Sequence, residues 1–517
     1  MKTTCLPRLL IPMLLLVAGS CQLLHPYSRP ETATTGLYRD AATTDSTTLA
    51  SRPWQQLFTD PLLQKLINEG LTNNRNLQVA VARIEQAQAL LTQSKAAFLP
   101  SLNGRATTTL SRARGTLVGT NSGGSTTTGG TTTGGTTGGG TTGGGTTGGG
   151  TTGGGTTGGG TTGGGTTTTD QSTIVTGSSP RQYLLALSSS WEADVWGKLR
   201  SNKRSYVASV LQSEAYRRVV QTQLIADIAD NYYYLLALDA QLEITRQTVQ
   251  NRIRDVETMR LLKEGDVVTE AAVVQSEAQR YAAEVTIPDL ERNIRETENL
   301  MATLLGRAPT PIERSTLAAQ PPTPPLLTGV PGQLLRNRPD VQQAEYTFES
   351  SFELTNAARA YFYPSFTITA NGGLISSTIE NLFSPTAIFA SVVGGLAQPI
   401  FSQGLNRARL RRAEALQREY LFTYQQTMFT AGQEVSNALF AYQSAVQKAR
   451  LRALQLEALD KAVDYTQELL RAGFANYTEV LTAQQSLLSA QLNSVNDVLQ
   501  QRQAVTDLYH ALGGGWR

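Results

Sequence analysis

Apolar residues recur at spacings of three and four through an unusually long stretch, residues 198 to 263. They are Val207, Val210, Leu211, Val219, Ile225, Ile228, Ala229, Tyr232, Leu235, Leu236, Leu242, Val249, Ile253, Val256 and Leu262. No proline interrupts them, so the pattern predicts one continuous helix, about 100 Å long at 1.5 Å per residue. A second run of the same character extends from about residue 405 to 470. Both stop at a glycine, Gly265 in EGDVV and Gly473 in AGFAN, where a chain can reverse through a left-handed turn. Returning helices are expected to about Leu305 and Leu512. In Arg338-Pro339-Asp340 the proline marks a helix start, because its missing donor costs nothing there.

A second pattern has period two. From Ser101, Leu102, Gly104, Ala106, Thr108 and Leu110 alternate with polar residues, and from Ser365 so do Phe366, Ile368 and Ala370. Partner runs end at Trp191 and begin at Ile388. Segments of about ten alternating residues are the signature of outer-membrane strands, and Tyr183, Trp191 and Phe366 suit an interfacial aromatic girdle. Four strands are too few to close a membrane barrel, and an open edge in lipid leaves backbone groups unpaired. Several copies must share one barrel: twelve strands from a trimer is the natural choice, eight or sixteen being allowed by arithmetic.

The two halves read as a duplication. Ala80, Glu85, Pro100 and Ser101 align with Ala344, Glu349, Pro364 and Ser365 at an offset of 264, whereas WGKLRSN from Trp196 aligns with QGLNRAR from Gln403 at 207. The difference, 57, approximates the length of a Gly/Thr tract in which one pentapeptide runs six times from residue 136 to 165. The tract is therefore an insertion in one hairpin loop of a repeated unit. Lacking large apolar residues, it is expected to be flexible and solvated, at the outer mouth of the barrel.

The N-terminus sets the compartment. Lys2 and Arg8 precede an apolar run at residues 9–17, then Ala18, Gly19, Ser20 and Cys21. This reads as an export signal, and the small triplet before cysteine resembles a lipoprotein cleavage box with Cys21 as the lipidated residue. Cleavage leaves one cysteine and no internal disulfide. Gln22, where aspartate would retain the protein at the inner membrane, points to the outer membrane.

The expected plan is a signal peptide (1–20), a lipid-anchored extended segment (21–60) and a first-repeat helix (61–100). First-hairpin strands follow at 101–112 and 182–191 around the insertion (113–181), then the long helix, tip and return (198–305) and a Pro-rich linker (306–332). The second repeat comprises a helix (333–363), strands at 365–374 and 388–397, and a long helix, tip and return (403–512), before a tail (513–517).

Composition limits the chemistry. Hydrophobic residues make up 40% and charged residues 16%, so cores can form outside the tract. A net charge of +3 over 517 residues offers no footprint for nucleic acid. His25 and His510 are the only histidines, too few for common zinc sites. The GGG at Gly513 has no helix after it, so it is no phosphate loop. No catalytic, cofactor or metal residue is selected, and no enzyme is expected.

WEADVWGKLR at Trp191, RPDV at Arg338, the two Pro-Ser strand starts, LLRAGFANYTEVLTAQQSLLSAQ from Leu469 and the terminal ALGGGW together resemble the outer membrane factor (TolC-like) efflux lipoproteins. The resemblance covers nearly everything from Trp54 to Trp516 except the tract. It implies a homotrimer in outer-membrane lipid: a membrane β-barrel of twelve strands, four per chain, continued by an all-α barrel crossing the periplasm. It further implies docking on a periplasmic adaptor (membrane fusion) protein and an inner-membrane pump of the resistance-nodulation-division type, with passive conduction to the exterior. A type I protein secretion channel is the nearest alternative. A trimeric surface adhesin on a helical stalk is a different class, disfavoured because it needs a single C-terminal barrel segment.

The reversals are then periplasmic tips, with Gly265, Asp266, Val267, Arg471, Ala472, Gly473 and Phe474 as candidate adaptor contacts. Related members often carry an Asp and an Arg three apart just after the second tip, resembling a latch; the matching Thr482 and Gln485 are neutral here. A possible gate uses these with Asp464, Glu468 and Arg471, although Asp464 and Glu468 at i, i+4 repel unless a cation approaches.

Overall fold

The computed structural model describes residues 25–30, 49–110, 181–321 and 337–516. The export signal, Cys21, nearly all of the 113–181 insertion and residues 322–332 of the linker lie outside the described residues. Two compact units are distinguished, one holding all the α-helices and the helix-side ends of the strands, the other residues 102–189 and 369–392 with the remainder of the strands.

In the helical unit, α1 (Trp54–Leu57), α2 (Pro61–Asn73) and α3 (Arg75–Ala96) precede the first long helix, α4 (Lys198–Glu264). Its return is split into α5 (Glu270–Glu284) and α6 (Thr286–Leu304). The break falls where Pro288, which has no N–H to donate back along a continuous helix, is accommodated in the first turn of α6. After α7 (Pro339–Ala360), the second long helix, α8 (Leu405–Arg471), returns unbroken as α9 (Tyr477–Ala511). Both long helices have 67 residues and start after a left-handed glycine, Gly197 (φ 76°) and Gly404 (φ 80°).

The main core gathers Leu63 and Ile67 of α2, Ile228, Leu235 and Leu236 of α4, Met301 and Leu305 by α6, and Leu508 of α9. Two polar hubs fasten it. The Asp60 carboxylate accepts from Leu62 N–H at 2.9 Å, Tyr232 Oη at 2.7 Å, Ser315 Oγ at 2.6 Å and Gln320 Nε2 at 2.7 Å. Burial alone raises its pKa, but these donors outweigh that and hold the carboxyl below its usual range. Arg338, which caps α7 beside Pro339 at N1, is buried; it donates twice to Asp340 (2.9 and 2.6 Å), to Glu434 of α8 (2.6 Å) and to the Ala511 carbonyl of α9 (2.9 Å).

The terminal glycines belong to the same fastening. A Cβ at Gly513 (φ +83°) falls 2.5 Å from the Asn337 carbonyl oxygen, and one at Gly514 falls 2.3 Å from the Tyr509 ring. The tail thereby reaches the start of α7, where Trp516 Nε1 donates to Asn337 O at 2.8 Å. Residues 25–30 strap along α7. Arg29 donates to both Glu345 carboxylate oxygens at 2.6 Å, Tyr27 packs edge-on against Phe352, and the His25 carbonyl accepts from Asn356.

On α8, burial is confined to the stretch between Tyr424 and Ala445. Phe422, Phe429, Phe440, Leu451, Leu454 and Tyr465 stand exposed. Phe429, Phe440 and Leu451 follow one another at eleven-residue intervals, as do Leu454 and Tyr465, so each series returns to nearly the same face every three turns.

The sheet contains β1 (Ser101–Leu110), β2 (Arg181–Ala193), β3 (Ser365–Ser376) and β4 (Ile388–Ala397), ordered β1-β2-β3-β4. Among the described residues, β1 and β4 each present an edge with no strand beside it. Strands β2 and β3 approach so closely that a Cβ on Gly373 falls 2.1 Å from the Leu185 carbonyl oxygen. Leu102, Leu110, Ile388, Val392 and Leu396 are exposed at even intervals along their strands, as one apolar face of a period-two strand requires.

Candidate functional site at the helical tips

Each long helix ends in the same hydrogen-bonded reversal. At the first tip Val267 N–H donates to Leu262 O at 2.9 Å and Asp266 N–H to Lys263 O at 2.9 Å; at the second, Phe474 N–H donates to Leu469 O at 2.9 Å and Gly473 N–H to Leu470 O at 3.1 Å. These are Schellman pairs, whose turning residue is left-handed. At the second tip that residue is Gly473 (φ 77°). At the first it is Asp266 (φ 57°), while Gly265 keeps φ −87°, which corrects the expectation that Gly265 makes the turn. Aspartate is one of the few side chains tolerated there. Val267 and Phe474, next in each reversal, are 70% and 84% exposed, and Arg471 and Ala472 are exposed beside them.

Behind the turns lies a small core of Met259, Val273, Tyr477, Val480 and Leu481, drawn from α4, α5 and α9. A polar cluster borders it. Ser276 Oγ donates to Tyr477 Oη at 2.5 Å, and Arg252, buried, donates to Gln484 Oε1 at 2.7 Å. Burial lowers the Arg252 pKa; it also raises that of Asp255, whose Oδ2 has no hydrogen-bond partner. Arg252, Asp255 and Gln484 thus tie α4 to α9 near the tip.

The expected gate residues are placed differently. Asp464, Glu468 and Arg471 are exposed, with no ion pair among the described residues. Thr482 bonds back to the Thr478 carbonyl of its own helix at 2.8 Å, and Gln485 faces solvent. Within one chain these five form no latch: helical spacing turns them outward, and the adjacent Gln484 is the one that turns in. On the first long helix an Arg and an Asp three apart, Arg252 and Asp255, occupy the buried contact with α9. Among the described residues no group of three or more His, Cys, Asp or Glu is placed to hold a metal ion, and no helix is long and apolar enough to cross a membrane.

The chain thus combines long paired helices that reverse at exposed tips with a four-stranded sheet, the elements of an outer-membrane channel family that the comparisons with known proteins show. The family model described as outer membrane efflux protein matches residues 159–307 and 330–514, and the chain belongs to that family. It is 26% identical over 514 residues to a toluene efflux pump outer membrane protein of Pseudomonas putida, TtgI, covering 98% of each. It is 26% identical over 518 residues, again 98% of each, to the probable outer membrane lipoprotein SilC of Salmonella typhimurium. Among solved structures, the outer-membrane channel OprN matches with a TM-score of 0.76 at 24% identity, over 95% of this chain and 99% of its own. The open state of the Neisseria gonorrhoeae MtrE channel matches at 0.75 and 22%, over 96% and 98%; these two likenesses concern the fold. The protein is an outer-membrane component of efflux.

Proposed function

We propose that three copies close one twelve-stranded barrel and continue it as a helical conduit through the periplasm, receiving cargo from an adaptor and an inner-membrane pump and passing it outward without bond chemistry. The observation that carries this reading is the sheet order, with β1 and β4 each left without a neighbour among the described residues, because an unpaired edge in lipid costs several kcal/mol per backbone group. The exposed stripe on α8 supports it, offering a neighbouring copy an apolar seam. Cys21 is the proposed lipid anchor. The tip residues 265–267 and 471–474 are the proposed adaptor contacts. Closure at rest is assigned to the Arg252–Asp255–Gln484 cluster within each chain, with Asp464, Glu468, Arg471, Thr482 and Gln485 facing neighbouring copies.

The test is a single chain bearing Thr108→Cys on β1 and Val392→Cys on β4. Oxidation is expected to yield covalent dimers and trimers, and an efflux-deficient bacterium regains export with the unmodified protein and its cognate adaptor and pump. Exclusively monomeric, intramolecularly bridged protein sinks the shared barrel.

A further inference from the structure

The two long helices begin with unlike electrostatics. Their first turns contain no acidic residue, but α4 borrows one: the Asp194 carboxylate accepts from the N–H groups of Leu199 (3.0 Å) and Arg200 (2.9 Å). The remaining early cations of α4 are also largely answered, Lys198 by Glu192 and Arg204 by Glu353. At the corresponding place before α8 stands Phe401, 86% exposed, and the helix opens with Arg407, Arg409, Arg411 and Arg412.

Among the described residues only Arg409 is engaged, stacked 3.9 Å above the Tyr361 ring and donating to Asn406. Arg407, Arg411 and Arg412 are exposed with no carboxylate partner among the described residues. Cations at a helix N-terminus oppose the macrodipole, and Arg407 and Arg411, one turn apart, repel. Such a group is stable when an external anion sits among the guanidinium groups. Its surroundings identify the anion. Ile400 and Phe401, immediately before the helix, are 96% and 86% exposed, and an aromatic cluster lies alongside in which Trp196 stacks on Tyr363 at 5.1 Å and donates to Pro364 O. Apolar side chains, indole and phenol rings and arginines in sequence form the profile of a membrane–water interface.

We infer that the start of α8 binds the phosphodiester headgroup of anionic phospholipid on the periplasmic side of the outer membrane, through Arg407, Arg411 and Arg412. This rests on the strands crossing that bilayer. The full-length protein in neutral detergent is titrated with phosphatidylglycerol and with phosphatidylcholine of the same acyl chains, followed by native mass spectrometry and thermal unfolding. Phosphatidylglycerol is expected to bind about tenfold more tightly or better, with the preference shrinking at about 0.5 M salt. The preference is lost in R407Q/R411Q/R412Q and kept in R407K/R411K/R412K. Equal binding of the two lipids by the unmodified protein overturns the inference, as does a preference that survives the glutamine variant. Equal stabilisation by inorganic phosphate also overturns it, by assigning the arginines to a soluble anion. Reconstitution into vesicles separates the two readings: a protein that fails to insert sinks both, whereas one that inserts and ignores headgroup charge sinks this one alone.

Discussion

The two long helices share a length of 67 residues and a common apolar period, yet their surroundings differ. Helix α4 is buried at intervals from Ser201 to Met259, enclosed by α2, α3, α5, α6, α7 and α9. Helix α8 packs chiefly on α7 and α9 and leaves its aromatic stripe in the open. One period therefore has two surroundings. In α4 it is buried within the chain, and in α8 it stays exposed, the face proposed above for a neighbouring copy.

The most damaging test of this contrast attacks the stretch where α8 is held within the chain. Replacing Arg338 by alanine leaves Glu434 and Asp340 without their buried partner and is expected to cost about 3–5 kcal/mol of stability, read by denaturant unfolding. The Arg338→Lys variant recovers part of this, because a point charge cannot reproduce the fork to Asp340.

Next, matched truncations separate the two helices directly. Leu235→Ala on α4 is expected to cost about 2–5 kcal/mol in chain stability. Leu451→Ala on α8 leaves the fold nearly unchanged and weakens assembly by about 1–2 kcal/mol per protomer, measured as trimer dissociation on dilution. Equal effects of both on folding would erase the distinction.

A pH profile sharpens it. Burial, then the nearby Asp507 charge, pushes the Asp230 carboxyl on α4 up to about 8. The folded chain thus retains a proton that the unfolded chain releases near pH 4, and stability drains away as pH rises from about 4 to 8. Asp230→Asn should flatten that slope and add about 1–3 kcal/mol at pH 8, by equilibrium unfolding across pH.

The smallest effects belong to the tips. Gly473→Ala forces a Cβ into a left-handed turn with no atom within 4 Å, so its expected cost, about 1 kcal/mol, is pure backbone strain. Asp266→Gly should gain a similar amount. Paired thermal melts check both.

Periodicity made the helices and strands legible: Val249, Ile253 and Val256 announce a helix whatever packs on them, and Phe366, Ile368 and Ala370 announce a strand. What escaped was polar. Arg338-Pro339-Asp340 reads locally as a helix cap, because its bonds to Glu434 and Ala511 join residues about a hundred or more positions away. The inward turn of Gln484, beside the exposed Thr482 and Gln485, is not written in the polar pattern, since a hundred degrees of helical rotation per residue decides which of three neighbouring polar groups meets Arg252. In EGDVV two adjacent residues can both take a left-handed turn, and only the hydrogen bonds of Asp266 and Val267 settle which one does.

The eleven-residue intervals along α8 have a mechanical corollary. Three turns in eleven residues is 3.67 per turn, close to the natural winding of a relaxed helix, so a seam built on Phe429, Phe440 and Leu451 runs nearly parallel to the axis. In the proposed assembly, copies meeting along it would lie like barrel staves rather than rope strands and store little torsion. Wringing a tube of that build would not dilate it.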